Sequence, residues 1–360
     1  MADTKQAPAN QQEVGRYRIV RVPGKVAVLL NARAKGWTGS IHHDVQRYVS
    51  SKDLFLTDNF HQAKRTVERL IQSDYDAIFA GGGDGTIMYL LNVLEQAIRD
   101  GKIEREDAPL VGVLRLGTGN ALATYLSTSN IIDDLRAIKS GSQLTVHRVN
   151  MLQGNDGVLF PFAGIGWDAD ILNDYDNVKD AVRDTAVEQY VTGLGGYGAA
   201  ITLKTIPRAV AQKPVRIRMT NRGERALRIN YQGDVLEEFK PGDVMYEGRA
   251  RICGAASIPY WGFQVRMFPH ADRYPDLFQC RCYHGGVAEI VTHLRRFWRG
   301  RVNEGSIHDF LAQDVHLELL DGPVPYQISG DVAGVERDIE WKLNPHPVLL
   351  ATPLQGGDAE

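Results

Sequence analysis

The stretch Asp76-Ala77-Ile78-Phe79-Ala80-Gly81-Gly82-Gly83-Asp84-Gly85-Thr86 constrains the fold of this 360-residue chain more than any other. Asp76 to Ala80 reads as a buried strand. Ile87, Leu90, Leu91, Leu94, Ala97 and Ile98 then recur at helical spacing, so a helix opens near Thr86. A strand, a glycine turn and a helix N-terminus make an anion site, because backbone N–H groups converge there and the helix dipole favours negative charge. Glycines let the backbone approach a phosphate and adopt positive φ. Asp84 sits in that turn. A carboxylate beside bound phosphates repels them unless a cation lies between, so the stretch points to nucleotide phosphate plus Mg²⁺. The structural alternative is a glycine-rich turn with Asp84 as a helix cap.

The surrounding pattern gives this turn a place in a sheet. Val26 to Leu30 is a continuous apolar run ending at Asn31, a buried parallel strand. Ser40 can cap the helix that follows, and Asp53 to Leu56 is a short second strand. Thr57-Asp58-Asn59 begins a helix with Ala63, Val67, Leu70 and Ile71 on its inner face. Leu110 to Leu114 is a fourth strand. Strands alternating with helices predict a doubly wound parallel sheet, whose ligands lie beyond the carboxyl ends of the strands. Asn31, Thr57, Gly81–Thr86 and a second glycine loop, Leu116-Gly117-Thr118-Gly119-Asn120, all fall there. Two glycine loops at neighbouring strand ends can clamp a polyphosphate from both sides.

Around residue 150 the pattern changes to short alternating runs such as Val215–Thr220, Arg249–Cys253, Leu277–Tyr283, Val315–Leu320 and Arg337–Leu343. Period two predicts strands with one buried face, hence an antiparallel β domain, a sandwich. Asp180 to about Ile206 reads as helical with glycine interruptions, and Val287 to Trp298 as a further helix. Within the first of these, Gly193-Leu194-Gly195-Gly196-Tyr197-Gly198 matches G-x-G-x-x-G formally, but follows no strand, and is read as a loosened helix or turn.

Composition excludes other classes. A net charge of −3 argues against a general nucleic-acid binder. Cys253, Cys280 and Cys282 lack zinc spacing; Cys280 and Cys282 alternate along a strand and share its inner face, which fits a reducing compartment. Residues 1–14 are polar and read as a disordered tail without a signal peptide, and no apolar run approaches the roughly 18 residues of a membrane span. Arg295, Arg296, Arg299 and Arg301, with the aromatic turn Ile258–Phe263, either meet an anionic membrane surface or are helix-end arginines beside core aromatics. Asp168 and Asp170, after Gly164 and Gly166, either face a cleft or cap a turn. Asp331, after Ser329-Gly330, either reaches a nucleotide or is a turn residue.

On these motifs the chain resembles the diacylglycerol kinase catalytic family, which includes sphingosine kinases, ceramide kinases and bacterial lipid kinases. Gly81–Thr86 is similar to its G-G-D-G-T phosphate loop, and Leu116–Asn120 to its P-L-G-T-x-N loop. Asn31 and Thr57 are similar to its nucleotide-contacting strand ends, Gly164–Asp170 to its substrate-side segment, and Ser329–Asp331 to its D-G-E motif. Arg115 stands where the family has proline, Ala121 where diacylglycerol kinases have aspartate, and Ser329 for the aspartate of D-G-E. Met88 and Tyr89 replace a frequent Asn-Glu pair.

The resemblance implies an N-terminal doubly wound α/β nucleotide domain of NAD kinase/diacylglycerol kinase type and a C-terminal antiparallel β-sandwich. The expected boundaries are a disordered tail over 1–24, the nucleotide domain over 25–150, a lipid-substrate domain over 151–343, and a return segment with tail over 344–360. It implies ATP held by Asn31, Thr57, Gly81, Gly82, Gly83, Gly85, Thr86, Gly117, Thr118 and Asn120. Asp84 and Asp331 serve catalysis and Mg²⁺, with the base assignment moved towards Asp84 by Ser329, and Asp168 and Asp170 contact substrate. The activity implied is ATP-dependent phosphorylation of a lipid hydroxyl (diacylglycerol, sphingoid base or ceramide) by a cytoplasmic, peripherally membrane-associated protein, with homodimer formation an added expectation. The alternatives are a NAD kinase-like enzyme and a nucleotide- or lipid-binding protein without catalysis.

Overall fold

Strand, helix and glycine turn follow one another along the N-terminal half much as the apolar pattern dictates. The structure, a computed structural model, describes residues 13–354 apart from 15–16, 23, 118, 167–213 and 263 and, within 287–304, all but 289, 296, 299 and 300. The chain divides into two compact units, residues 1–149 with 347–360, and residues 150–346.

In the first unit the elements are β1 (Glu13–Val14), β2 (Tyr17–Arg21), β3 (Val26–Asn31), α1 (Gly39–Tyr48), β4 (Leu54–Thr57), α2 (Phe60–Ile71), β5 (Ala77–Gly82), α3 (Asp84–Arg99), β6 (Leu110–Arg115), α4 (Ala121–Tyr125), α5 (Ile131–Lys139) and β7 (Gln143–Val149). A C-terminal strand, Val348–Pro353, returns to the same sheet, whose order is β1-β2-β7-(348–353)-β6-β5-β3-β4. Pairing is parallel from β4 through β3, β5 and β6 to the return strand. It is antiparallel where β7 meets the return strand and β2. Every residue of β5 is buried, as a parallel strand covered on both faces requires. Val67, Leu70 and Ile71 of α2, and Ile87, Leu90, Leu91, Leu94 and Ala97 of α3, are buried as their spacing predicts.

Three expectations are corrected here. The cap of α1 is Thr38, whose hydroxyl accepts from Ile41 N at 3.2 Å; Ser40 lies two residues too late and sits inside the helix. The sheet is mixed at one edge rather than wholly parallel. Residues 17–21, expected within the disordered tail, pair antiparallel with β7. Tyr17, Ile19 and Val20 supply enough β-forming side chains to extend the edge, a signal hidden by the polar residues before them.

The second unit holds two antiparallel sheets. Its strands are β8 (Leu152–Gln153), β9 (Leu159–Phe160), β10 (Phe162–Gly166), β11 (Val215–Asn221), β12 (Ala226–Ile229), β13 (Val235–Phe239), β14 (Val244–Ala250), β15 (Ile252–Ala256), β16 (Phe278–Tyr283), β17 (Ile307–Ala312), β18 (Asp314–Leu319), β19 (Val324–Ile328), β20 (Asp331–Glu336) and β21 (Asp338–Leu343). One sheet runs β13-β12-β17-β16-β15-β10-β19-β20 and the other β14-β11-β18-β21-β8-β9. Ile217, Met219, Leu317 and Trp341 from the second meet Ile165, Cys253, Cys280, Cys282 and Phe310 from the first in one core. Trp341 Nε1 donates to Tyr326 Oη at 3.0 Å from one sheet to the other, so the buried indole N–H is satisfied. The expected strand Arg249–Cys253 is two strands. β14 ends at Ala250, β15 begins at Ile252, and they belong to different sheets, with Arg251 N donating to Tyr283 O at 2.7 Å at the crossing. All three cysteines are buried and none is in a disulfide; Cys280 and Cys282 lie on the inner face as expected.

Candidate functional site

Four parallel strand ends line up in register. Asn31 of β3 is opposite Thr57 of β4, Leu30 is opposite Gly81 of β5, and Gly82 is opposite Arg115 of β6. The loops leaving these ends are therefore neighbours, the position at which doubly wound sheets bind ligands. The residues expected to hold nucleotide in this unit come together there, Thr118 excepted, which lies outside the described residues.

The two glycine loops touch through their backbones. Gly117 N donates to Gly82 O at 2.7 Å, and a Cβ on Gly117 would meet Gly83 Cα at 2.5 Å. A Cβ on Gly82 would meet the Thr86 hydroxyl at 2.3 Å, whereas one on Gly83 meets nothing within 4 Å. Glycine is thus demanded for close approach at residues 82 and 117, and residue 83 faces open space where a ligand can come near. The expected positive φ is not found at these glycines; the left-handed residue is Asn120, φ 44°. Strain of this kind gathers at functional sites. Asn120 Nδ2 donates to Gly117 O, and its buried Oδ1 has no hydrogen-bond partner among the described residues.

Asp84 ties the loops together. Its carboxylate is 8% exposed; Oδ2 accepts from Ala121 N at 2.8 Å and Oδ1 from Leu122 N at 3.0 Å. It therefore caps α4, in the second loop, while α3 itself has Gly83 as N-cap and no side-chain cap. The cap reading of Asp84 is met, though on α4 rather than on the helix that its own turn opens. At the other end of α4, Arg115 Nη2 donates to Ala123 O at 3.3 Å and Nε to Thr128 Oγ1 at 3.5 Å. An acid at the N-terminus and a cation near the C-terminus match the dipole of this five-residue helix.

Toward β4, Asn31 Oδ1 accepts from Arg33 N at 2.9 Å and Asn31 Nδ2 donates to Thr86 Oγ1 at 3.4 Å. Thr57, buried, donates to Leu30 O at 3.4 Å. Gly36, in the β3–α1 loop, donates from its N–H to Leu116 O at 3.0 Å, and a Cβ there would meet that oxygen at 2.4 Å. This third loop in contact with the second was not read from the sequence, where Gly36 is one loop glycine among others. Asp134, in the first turn of α5, was missed as well. It is 1% exposed, and burial, with Asp133 beside it, pushes its carboxyl up to about 7 against the opposing pull of the Ser129 backbone and Arg115.

The remaining candidates belong to residues 150–346 of the chain. Asp331 opens β20 in the second unit and is exposed, following Ser329 and Gly330, both with positive φ. Asp168 and Asp170 lie outside the described residues, as do the Gly193–Gly198 segment, the expected helix over 180–206 and nearly all of the expected helix over 287–298; of the arginines at its end, Arg296 and Arg299 are described and exposed, and Arg295 and Arg301 are not described. Among the described residues no three His, Cys, Asp or Glu side chains group to hold a metal, and no helix is long and apolar enough to cross a membrane.

Known proteins resemble the chain in sequence and in fold. Residues 25–153 match the diacylglycerol kinase catalytic domain. The chain is 27% identical over 274 residues to the "Probable lipid kinase YegS" of Salmonella gallinarum, covering 75% of this chain and 83% of that one. It is 27% identical over 216 residues to the same-named protein of Salmonella schwarzengrund, covering 60% of this chain and 64% of that protein, just under two thirds of its length. A crystal structure of a diacylglycerol kinase from Bacillus anthracis str. Sterne has a similar fold, with TM-score 0.57, 17% identity, and coverage of 91% and 96% of the two chains.

Proposed function

From a chain whose residues 25–153 belong to the diacylglycerol kinase catalytic family, we propose an ATP-dependent lipid kinase, which moves the γ-phosphate of ATP to a lipid hydroxyl. The observation that carries this reading is the backbone contact of the two glycine loops, Gly117 N to Gly82 O, beneath an open approach at Gly83. A triphosphate laid along the loops meets N–H groups at the start of α3, and Asn31, Thr57, Thr86, Thr118 and Asn120 place the rest of the nucleotide.

The donor set fits Mg²⁺, which keeps several waters and takes one or two carboxylates plus substrate phosphates. The Asp84 carboxylate supplies anionic oxygens, each accepting from one backbone N–H, and Asn120 Oδ1, without a hydrogen-bond partner among the described residues, adds a neutral oxygen in the same loop pair. Asp84 would hold the ion, which when bound neutralises charge on the β- and γ-phosphates. The chain's own work is positioning: phosphoryl transfer needs alignment and charge stabilisation more than covalent help. Asp84 orients the attacking hydroxyl and takes its proton. The two-sheet unit, read as a β-sandwich, admits the lipid near Asp168 and Asp170 from a membrane surface at which the cytoplasmic protein is peripheral, and two copies form a dimer.

A second reading is favoured by one observation: both Asp84 oxygens already serve as a helix cap, which suits nucleotide binding without transfer. One experiment separates the two. The protein is incubated with radiolabelled ATP, Mg²⁺ and, separately, diacylglycerol, monoacylglycerol, sphingosine, ceramide and NAD, and products are resolved by chromatography. A labelled lipid supports the kinase. Thermal stabilisation by ATP–Mg²⁺ with no labelled product supports the binding protein, and labelled NADP in place of lipid supports a NAD kinase-like enzyme.

A further inference from the structure

Phe60 is 63% exposed, the most exposed large apolar side chain among the described residues. Its ring does not stand alone: Tyr89 meets it edge-to-face, with centroids 5.2 Å apart and planes at 66°. Neither ring joins the hydrophobic core of the first unit. Trp37, another large ring near a strand end, packs on that core. Helix capping does not explain Phe60 either. Asn59 is the N-cap of α2, so the residue that would form a hydrophobic staple is Asp58, not Phe60.

The pair sits beside the strand-end loops by construction. Phe60 comes three residues after Thr57, and Tyr89 three after Thr86. Thr57 and Thr86 flank one side chain, since Asn31 is opposite Thr57 in the sheet and donates to the Thr86 hydroxyl. Helical side chains lean back towards the N-terminus, so Tyr89 leans over the turn that starts at the glycine loop. The phosphate-type donors lie on the β5 and β6 side of Asn31 and the rings on the β4 side. A nucleotide has the same two ends: an anionic chain, and a flat ring that gains from lying on an aromatic face.

We propose that Phe60, braced by Tyr89, is the stacking platform for the nucleobase. This rests on the nucleotide reading above. The edge-to-face contact with Tyr89 fixes the tilt of the Phe60 ring, and the exposure of Phe60 leaves room for a base to lie against it. Base–aromatic stacking tolerates any base, so the platform strengthens nucleotide binding without selecting adenine through hydrogen bonds.

The test compares two probes on the full-length protein by calorimetry: ATP with Mg²⁺, and inorganic tripolyphosphate with Mg²⁺. Phe60→Ala is expected to weaken ATP about tenfold and leave tripolyphosphate unchanged. Phe60→Trp is expected to keep ATP affinity and to give an added indole fluorescence quenched by ATP but not by tripolyphosphate. Equal ATP affinity in wild type and Phe60→Ala overturns the platform. Equal weakening of both probes also overturns it, since the rings then only support the loop. Wild type that binds tripolyphosphate as tightly as ATP removes the platform but leaves the phosphate site standing. Wild type that binds neither removes the nucleotide reading and the platform with it.

Discussion

Asp84 has two uses written into one carboxylate. Its oxygens hold the first two N–H groups of α4, and hydrogen bonds to a charged acceptor contribute about 1.5–3 kcal/mol each when made in a protein. Asp84→Asn keeps one acceptor and turns an NH₂ group towards the other N–H, so it is expected to lower stability by about 1–3 kcal/mol. It also loses nucleotide-induced thermal stabilisation. Urea unfolding with and without ATP–Mg²⁺ checks both, and a variant with wild-type midpoint would mean that the cap is dispensable. Asp134 makes a prediction of different sign. Its carboxyl is raised to about 7 in the folded chain, above the unfolded value near 4, so the folded state holds the extra proton between those values. That proton's contribution is complete below about pH 4, falls away as pH rises towards 7, and is absent above. Asp134→Asn should therefore gain clearly more stability over wild type at pH 8 than at pH 5; an equal difference at both would remove Asp134 as the source. The glycines, Asp84 and Asn120 were legible as a site because few other chemistries place such residues at a strand end. The partner of each Asp84 oxygen was not, because a backbone N–H carries no residue identity. The isolation of Asp134 was hidden for a related reason: an acid in a first helical turn looks favourable until its burial is known.

Helix α4 shows why element boundaries near a site resist sequence reading. A five-residue helix is marginal by itself, since nucleation costs more than one turn returns. It forms here because Asp84 holds its start and Arg115 its end, residues 37 and 8 positions away from the groups they bind. Arg115 stands where the family resemblance has proline; its donors to Ala123 O and Thr128 Oγ1 replace a fixed backbone by a long-reaching side chain. Arg115→Ala is expected to raise hydrogen exchange across 119–126 and to cost about 1 kcal/mol. It also removes the cation that draws Asp134 down, so the fall of stability with rising pH should continue to higher pH than in wild type. Unchanged exchange in 119–126 would show that Asp84 alone fixes the helix. Longer elements were easier. The inner faces of α2 and α3 emerge from spacing alone, because a repeated apolar stripe has one burial solution. The split of residues 249–253 between two sheets did not, because a run that alternates correctly gives no mark where the chain changes sheet.

At the scale of the molecule, the change of pattern near residue 150 reveals two units, and the resemblance supplies the expectation that the chain end comes back. What the sequence could not specify is how firmly the return is built in. Val348–Pro353 is not an edge addition: it lies between β6 and β7, parallel to one and antiparallel to the other. Among the described residues, only this strand connects β7, β2 and β1 to the parallel strands that carry the glycine loops. Leu350 is fully buried, opposite Val111 on one side and His147 on the other. Leu350→Ala leaves a cavity at that junction and should cost about 2–5 kcal/mol. The loss should appear as faster hydrogen exchange in both 110–115 and 143–149, because the strand's two neighbours lose the same support. If exchange rises in 110–115 alone, β7 and its partners hold together without the return strand, and the sheet is two stable pieces in contact. If it rises in both, Val348–Pro353 completes the sheet on which the strand-end loops stand.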